Sequence, residues 1–109
     1  MKYSKLSKTH RTIKEWSPDD RPREKLVTHG AEVLSDAELL AILINTGTVR
    51  RSALDVARDL LNRYSNLLNL ASRNCGEISR ESGIGLAKAT KLIAAFELGR
   101  RIQSQAAIA

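Results

Sequence analysis

Helix-start signals followed by apolar residues at helical spacing recur along this chain, and they constrain its fold more than any other feature. Ser35-Asp36-Ala37-Glu38 has the form of a capping box: the Ser35 hydroxyl can accept from a first-turn amide while Glu38 reaches back. Leu39, Leu40, Ile42, Leu43 and Ile44 follow at once, with Gly47 as the expected stop. Ser52, with Asp55 three residues on, repeats the signal. Ala53, Val56, Ala57, Leu60, Leu61 and Tyr64 then share one helical face, opposite Asp55, Arg58, Asp59 and Arg63. Upstream, Asp19-Asp20-Arg21-Pro22 places a proline where a first turn accepts it and acids where the helix dipole favours them. That predicts a short helix over 22–29, ended by Gly30. Downstream, Ser65-Asn66 reads as a turn and Leu67, Leu68 and Leu70 as a short apolar cover for the core. Ser72 reads as the cap of a helix reaching about Arg80, and a last helix is expected over about 86–102.

These spacings predict an all-α fold, a compact bundle of about five short helices with Leu39, Ile42, Leu43, Val56, Leu60, Leu92, Ile93 and Phe96 in its core. Only four aromatics are present, so Leu, Ile and Ala must do the packing. A length of 109 residues suits one domain. Within it we distinguish a basic arm over 1–18, a helical domain over 19–102 and a tail over 103–109. The arm carries Lys2, Lys5, Lys8, Arg11 and Lys14 and reads as solvated or, alternatively, as phosphate-contacting, with Ile13 and Trp16 as docking points. The net charge of +6 fits an acidic partner. A single cysteine, Cys75, and no apolar leader-like stretch near Met1 make a reducing cytoplasm the expected setting. No segment approaches the ~20 apolar residues of a membrane span, so no membrane partner is expected.

The segment richest in functional meaning is Ser82-Gly83-Ile84-Gly85-Leu86-Ala87-Lys88-Ala89-Thr90-Lys91-Leu92, with Ile78 before it. It resembles a helix-hairpin-helix, placed over 73–102. Two glycines permit the positive-φ backbone of a tight hairpin, Ile84 can plug the groove between the flanking helices, and the small Ala89 lets those helices approach. The following helix presents free amides at its N-terminus, which attract a phosphate oxygen without reading a base. Gly83, Ile84, Gly85, Lys88 and Lys91 are therefore the candidate DNA-backbone contacts. The same glycines would also serve helix packing alone, and Glu81 and Ser82 depart from the usual apolar residue and proline. Gly47 and Ala53 echo the spacing of Gly83 and Ala89, so residues 36–64 read either as a degenerate first copy or as coincidence. As a first copy, they add Arg50 and Arg51 to the candidates.

Larger blocks carry a resemblance. Ile13-Lys14-Glu15-Trp16, Asp20-Arg21-Pro22-Arg23-Glu24-Lys25-Leu26, Gly30-Ala31-Glu32, Leu34-Ser35-Asp36-Ala37-Glu38-Leu39-Leu40-Ala41-Ile42-Leu43, Thr46-Gly47-Thr48 and the stretch from Gly83 to Arg101 are similar, in order and spacing, to the amino-terminal region of the bacterial RadC (UPF0758) family, named as DNA repair proteins. The resemblance implies a DNA partner, duplex or branched, and, in longer homologues, a following JAB/MPN-like metal-binding domain with a His-x-His signature. No His-x-His occurs in this sequence, where His10 and His29 are isolated. No catalytic residue, metal ligand or cofactor is therefore expected. The other function class is a protein interaction module that recruits a partner or orients such a metal domain. Oligomeric state is left open by the sequence.

Overall fold

The computed structural model describes residues 18–108, and the arm residues through Trp16, with His10, lie outside them. Helix α1 spans Arg21–His29, a single 3-10 turn Ala31–Val33, α2 Asp36–Ile44, α3 Ala53–Tyr64, α4 Leu67–Ala71, α5 Cys75–Ser79 and α6 Gly85–Ile108. The fold is all-α, and no strand occurs among the described residues. Short α4 adds a sixth helix where the spacing predicts only an apolar turn. Helix α6 continues through Ile108, past the expected end near residue 102 and across the expected tail.

Local chemistry accounts for most boundaries. Ser35 Oγ accepts from the Glu38 amide at 3.1 Å while the Ser35 amide donates to Glu38 Oε1 at 2.9 Å, closing the first capping box. Ser52 and Asp55 close the second, at 3.1 and 3.2 Å. A third box joins Asn74 and Glu77 at the head of α5, so the cap expected at Ser72 is corrected to Asn74. Ser72 instead ends α4, its hydroxyl donating to the Leu68 carbonyl at 2.9 Å. Helix α1 ends at Gly30 (φ 93), as expected. Helix α2 stops at Asn45 (φ 72), two residues before Gly47, because asparagine also tolerates left-handed backbone.

Helices α2 and α3 pack together as one pair and α5 and α6 as a second, with α2 also lying against α6 and α4 against α3. Leu40, Ala41, Ile44, Ala53, Val56, Ala57, Leu60, Leu70, Ile78, Ile84, Ala89 and Leu92 form the core. Among the expected core residues, Val56, Leu60 and Leu92 belong to it, and Leu43, Ile93 and Phe96 are half-buried against it. Leu39 is corrected to the surface at 37% exposure, and Ile42 is only partly buried. The α2 sequence is nearly all apolar, so periodicity could not say which stripe faces inward. Packing on both α3 and α6 selects Leu40, Ala41 and Ile44.

Candidate nucleic-acid interface

The second hairpin begins where α5 ends. The Ile84 amide donates to the Glu81 carbonyl at 3.1 Å, and Gly83 and Gly85 take φ of 86° and 67°. Both are conformations that side chains resist. The two glycines differ in surroundings. A Cβ at Gly83 would lie 2.9 Å from Val56 Cγ2 and 3.3 Å from Thr48 Cγ2, so this glycine also permits a close approach to α3 and to the first hairpin. A Cβ at Gly85 would meet nothing within 4 Å. Ile84, at 5% exposure, plugs the space between helices, and its amide is already held by the Glu81 carbonyl. Ala89 is fully buried, which lets α6 run close to its neighbours.

The lysines lie in different settings. Lys88 Nζ donates to the Thr46 carbonyl of the first hairpin and, at 3.4 Å, to the Gly83 carbonyl of its own. Lys91 is exposed on α6. In the first hairpin Arg50 is exposed, while Arg51 pairs with Asp59. Arg51 lines a cavity of about 530 Å³ with Asp59, Arg63, Glu81 and Ser82. Thus Gly83, Gly85 and Lys88 share one hairpin, and Thr46 and Thr48 bring the first hairpin up against it.

Glu81, the departure from the usual apolar residue, has a structural reason. It accepts from the Tyr64 hydroxyl at 2.9 Å and pairs with Arg63 Nε at 2.8 Å, tying the end of α3 to the second hairpin. Burial and then this hydrogen bond raise the Tyr64 pKa above the usual phenol value. Arg73 lies over the same ring, 5.4 Å from its centroid.

The two pairs share a helix-hairpin-helix form but not a register. The first connection occupies residues 45–52 and the second 80–84. Ala53 is the first residue of α3, whereas Ala89 lies a full turn inside α6. Arg50 and Arg51 therefore sit in a loop, whereas Leu86 and Ala87, their counterparts by the spacing of Gly47 to Gly83, are helical.

Asp19 is the residue that local patterns misplace. They make it a dipole partner for α1, but its carboxylate accepts from the Gly47 amide at 3.1 Å and from the Ala53 amide at 2.6 Å. No local signal could reveal these partners, which are 28 and 34 residues away.

Among the described residues no group of three or more His, Cys, Asp or Glu side chains is placed to hold a metal ion. No described helix is long and apolar enough to cross a membrane.

Comparison with known proteins gives the relationship. A UPF0758 protein of Salinibacter ruber is 52% identical over 97 residues, covering 85% of this chain and 42% of the relative. One of Moorella thermoacetica is 55% identical over 91 residues, covering 84% and 40%, and one of Desulforudis audaxviator is 50% identical over 92 residues, covering 84% and 40%. The chain thus spans about two-fifths of the length of these relatives. No solved structure matches it. Residues 13–90 match the family model described as UPF0758 N-terminal, and on that match and these identities the chain belongs to the UPF0758 family.

Proposed function

We propose that this chain is a non-catalytic, sequence-independent DNA-backbone-binding domain, acting through its second hairpin within a RadC-like DNA repair protein of the bacterial cytoplasm. The observation that carries the reading is the hairpin itself: Gly83 holds positive φ two residues before a 24-residue helix, and Gly85 holds it at that helix's first residue. Such a turn directs first-turn amides and the positive end of the helix dipole outward, where they suit a phosphate oxygen. Gly85 stands in open space, so a backbone can approach it. Lys91 supplies exposed charge one turn further on, and Lys88 joins the two hairpins on the same side. Affinity of this kind comes from counterion release, reads no base and falls with salt.

Titrating the chain with duplex, branched and single-stranded DNA at two salt concentrations tests this. Binding should be independent of sequence and steeply weakened by salt. Absence of binding at low salt would reject the reading. The second reading is an interaction module orienting a metal-dependent hydrolase domain in longer relatives. Its support is the exposed apolar series Leu98, Ile102 and Ile108 on α6. That reading predicts salt-insensitive association with the remaining part of a relative.

A further inference from the structure

The two hairpins are not equally open. In the first, the Gly47 amide and the Ala53 amide, the latter at the very start of α3, converge on one carboxylate, that of Asp19. Two oxygens of one anion are each held by a backbone N–H, 3.1 and 2.6 Å away, at the positive end of a 12-residue helix. Two oxygens of a phosphate would be held by the same donors for the same reason. The loop is shaped tightly around this point: a Cβ at Gly47 would be 2.0 Å from the Arg51 carbonyl oxygen. Asp19 also lines a cleft of about 450 Å³ with Thr48, Arg50, Arg51, Ser52 and Asp55. Exposed Arg50, with Arg51 paired to Asp59 beside it, thus flanks a position that an anion already holds. In the second hairpin the residue before α6 is Ile84, whose buried apolar side chain has no oxygen with which to cap the helix start.

We propose that the Asp19 carboxylate is an internal stand-in for phosphate that closes the first hairpin to nucleic acid, leaving the second hairpin as the open one. Asp19 is held in place by its surroundings. Arg23 joins the neighbouring Asp20 to Asn45, two residues before Gly47. A phosphate entering the first hairpin must therefore displace a carboxylate whose effective concentration there is high, because it is tethered. Removing that carboxylate should expose a second phosphate site. The asymmetry bears on nucleic acid only if the backbone-binding reading holds, but the anion preference of the first hairpin can be tested without DNA.

The test follows the backbone amides of the full chain by nitrogen-15 NMR during titration with inorganic phosphate at low ionic strength. The parent is compared with Asp19→Ala, Asp19→Asn and the charge-matched Asp36→Asn, an exposed position at the start of α2. We expect the Gly47 and Ala53 amides to stay silent in the parent and in Asp36→Asn. They should shift saturably in Asp19→Ala, and more weakly in Asp19→Asn, which keeps one acceptor oxygen. A folded Asp19→Ala protein whose Gly47 and Ala53 amides ignore phosphate overturns the proposal, as does a parent that responds equally. If Asp19→Ala loses its helical circular dichroism, Asp19→Asn decides by the same criteria. In the duplex titration, Asp19→Ala should steepen the salt slope by about one unit relative to Asp36→Asn. Equal slopes would overturn the closure as it applies to nucleic acid. If no variant binds duplex at low salt, the backbone-binding reading fails by itself, while the phosphate titration still decides the role of Asp19.

Discussion

The ammonium of Lys88 donates to the carbonyl of Thr46, linking the start of α6 to a hairpin that precedes it by 42 residues. A second contact, to the Gly83 carbonyl at 3.4 Å, makes this lysine a bridge between the two hairpins. Lys91 lies exposed on the same helix. Two lysines that look equivalent in the sequence therefore have separable jobs.

Lys88→Ala should lower stability by about 0.5–1.5 kcal/mol, the usual net worth of one intramolecular hydrogen bond, since solvent screening keeps this exposed bond below the range of buried charged ones. Lys91→Ala should leave the melting temperature unchanged and reduce the salt slope of duplex binding by about one unit if it contacts a phosphate. Thermal melts and salt titrations of both variants check this. Equal melting losses would contradict the assignment of Lys88 as a bridge.

Alanine at the three hairpin glycines should produce a graded loss. Gly85→Ala meets only the cost of left-handed backbone, about 1–2 kcal/mol, because its Cβ enters open space. Gly83→Ala adds a contact 2.9 Å from Val56 Cγ2 and should cost about 2–4 kcal/mol. Gly47→Ala should be worst: its Cβ would lie 2.0 Å from the Arg51 oxygen and 2.5 Å from the Ser52 carbonyl carbon, so backbone must move. Urea denaturation gives the ranking, and a Gly85→Ala variant less stable than Gly83→Ala would refute it.

Leu40→Ala should cost about 2–5 kcal/mol, as for other truncated core leucines, whereas Leu39→Ala should cost under about 1 kcal/mol. Leu40 is 3% exposed and Leu39 37%. Leu43, only half-buried, should fall between them. Matching losses at residues 39 and 40 would mean that α2 is rotated from the orientation described.

This pair of leucines shows where sequence reasoning reaches and where it stops. Helix starts at Ser35 and Ser52 were legible because each capping box is written within four residues. The second hairpin was legible because Gly83 and Gly85 answer to local backbone geometry. The inward stripe of α2 was not, since apolar residues surround that helix and tertiary packing makes the choice. Lys88 on Thr46, Asp19 on Gly47 and Glu81 on Arg63 were hidden for the same reason: each joins groups that only the finished fold brings together.

Acid should weaken the α2 capping box through one carboxylate. The Ser35 amide donates to Glu38, and this hydrogen bond, helped by Lys25 at 3.0 Å, outweighs partial burial and holds the Glu38 pKa below the ordinary carboxylate value. A carboxylate whose pKa is lower folded than unfolded contributes stability above its unfolded value, about 4.3. That contribution is lost as pH falls through the lowered folded value. Lys25 is 42% exposed, so solvent screens its share and the cap hydrogen bond should dominate. Glu38→Gln keeps an acceptor for the Ser35 amide but removes the charge. It should therefore be less stable than the parent by about 0.5–1 kcal/mol at pH 7, with the gap closing towards pH 3. Lys25→Ala should leave most of the parent's pH dependence in place. Urea denaturation of the three proteins at pH 7, 5 and 3 measures both effects. A gap between parent and Glu38→Gln that stays constant across that range would show that ionised Glu38 has no part in holding the head of α2.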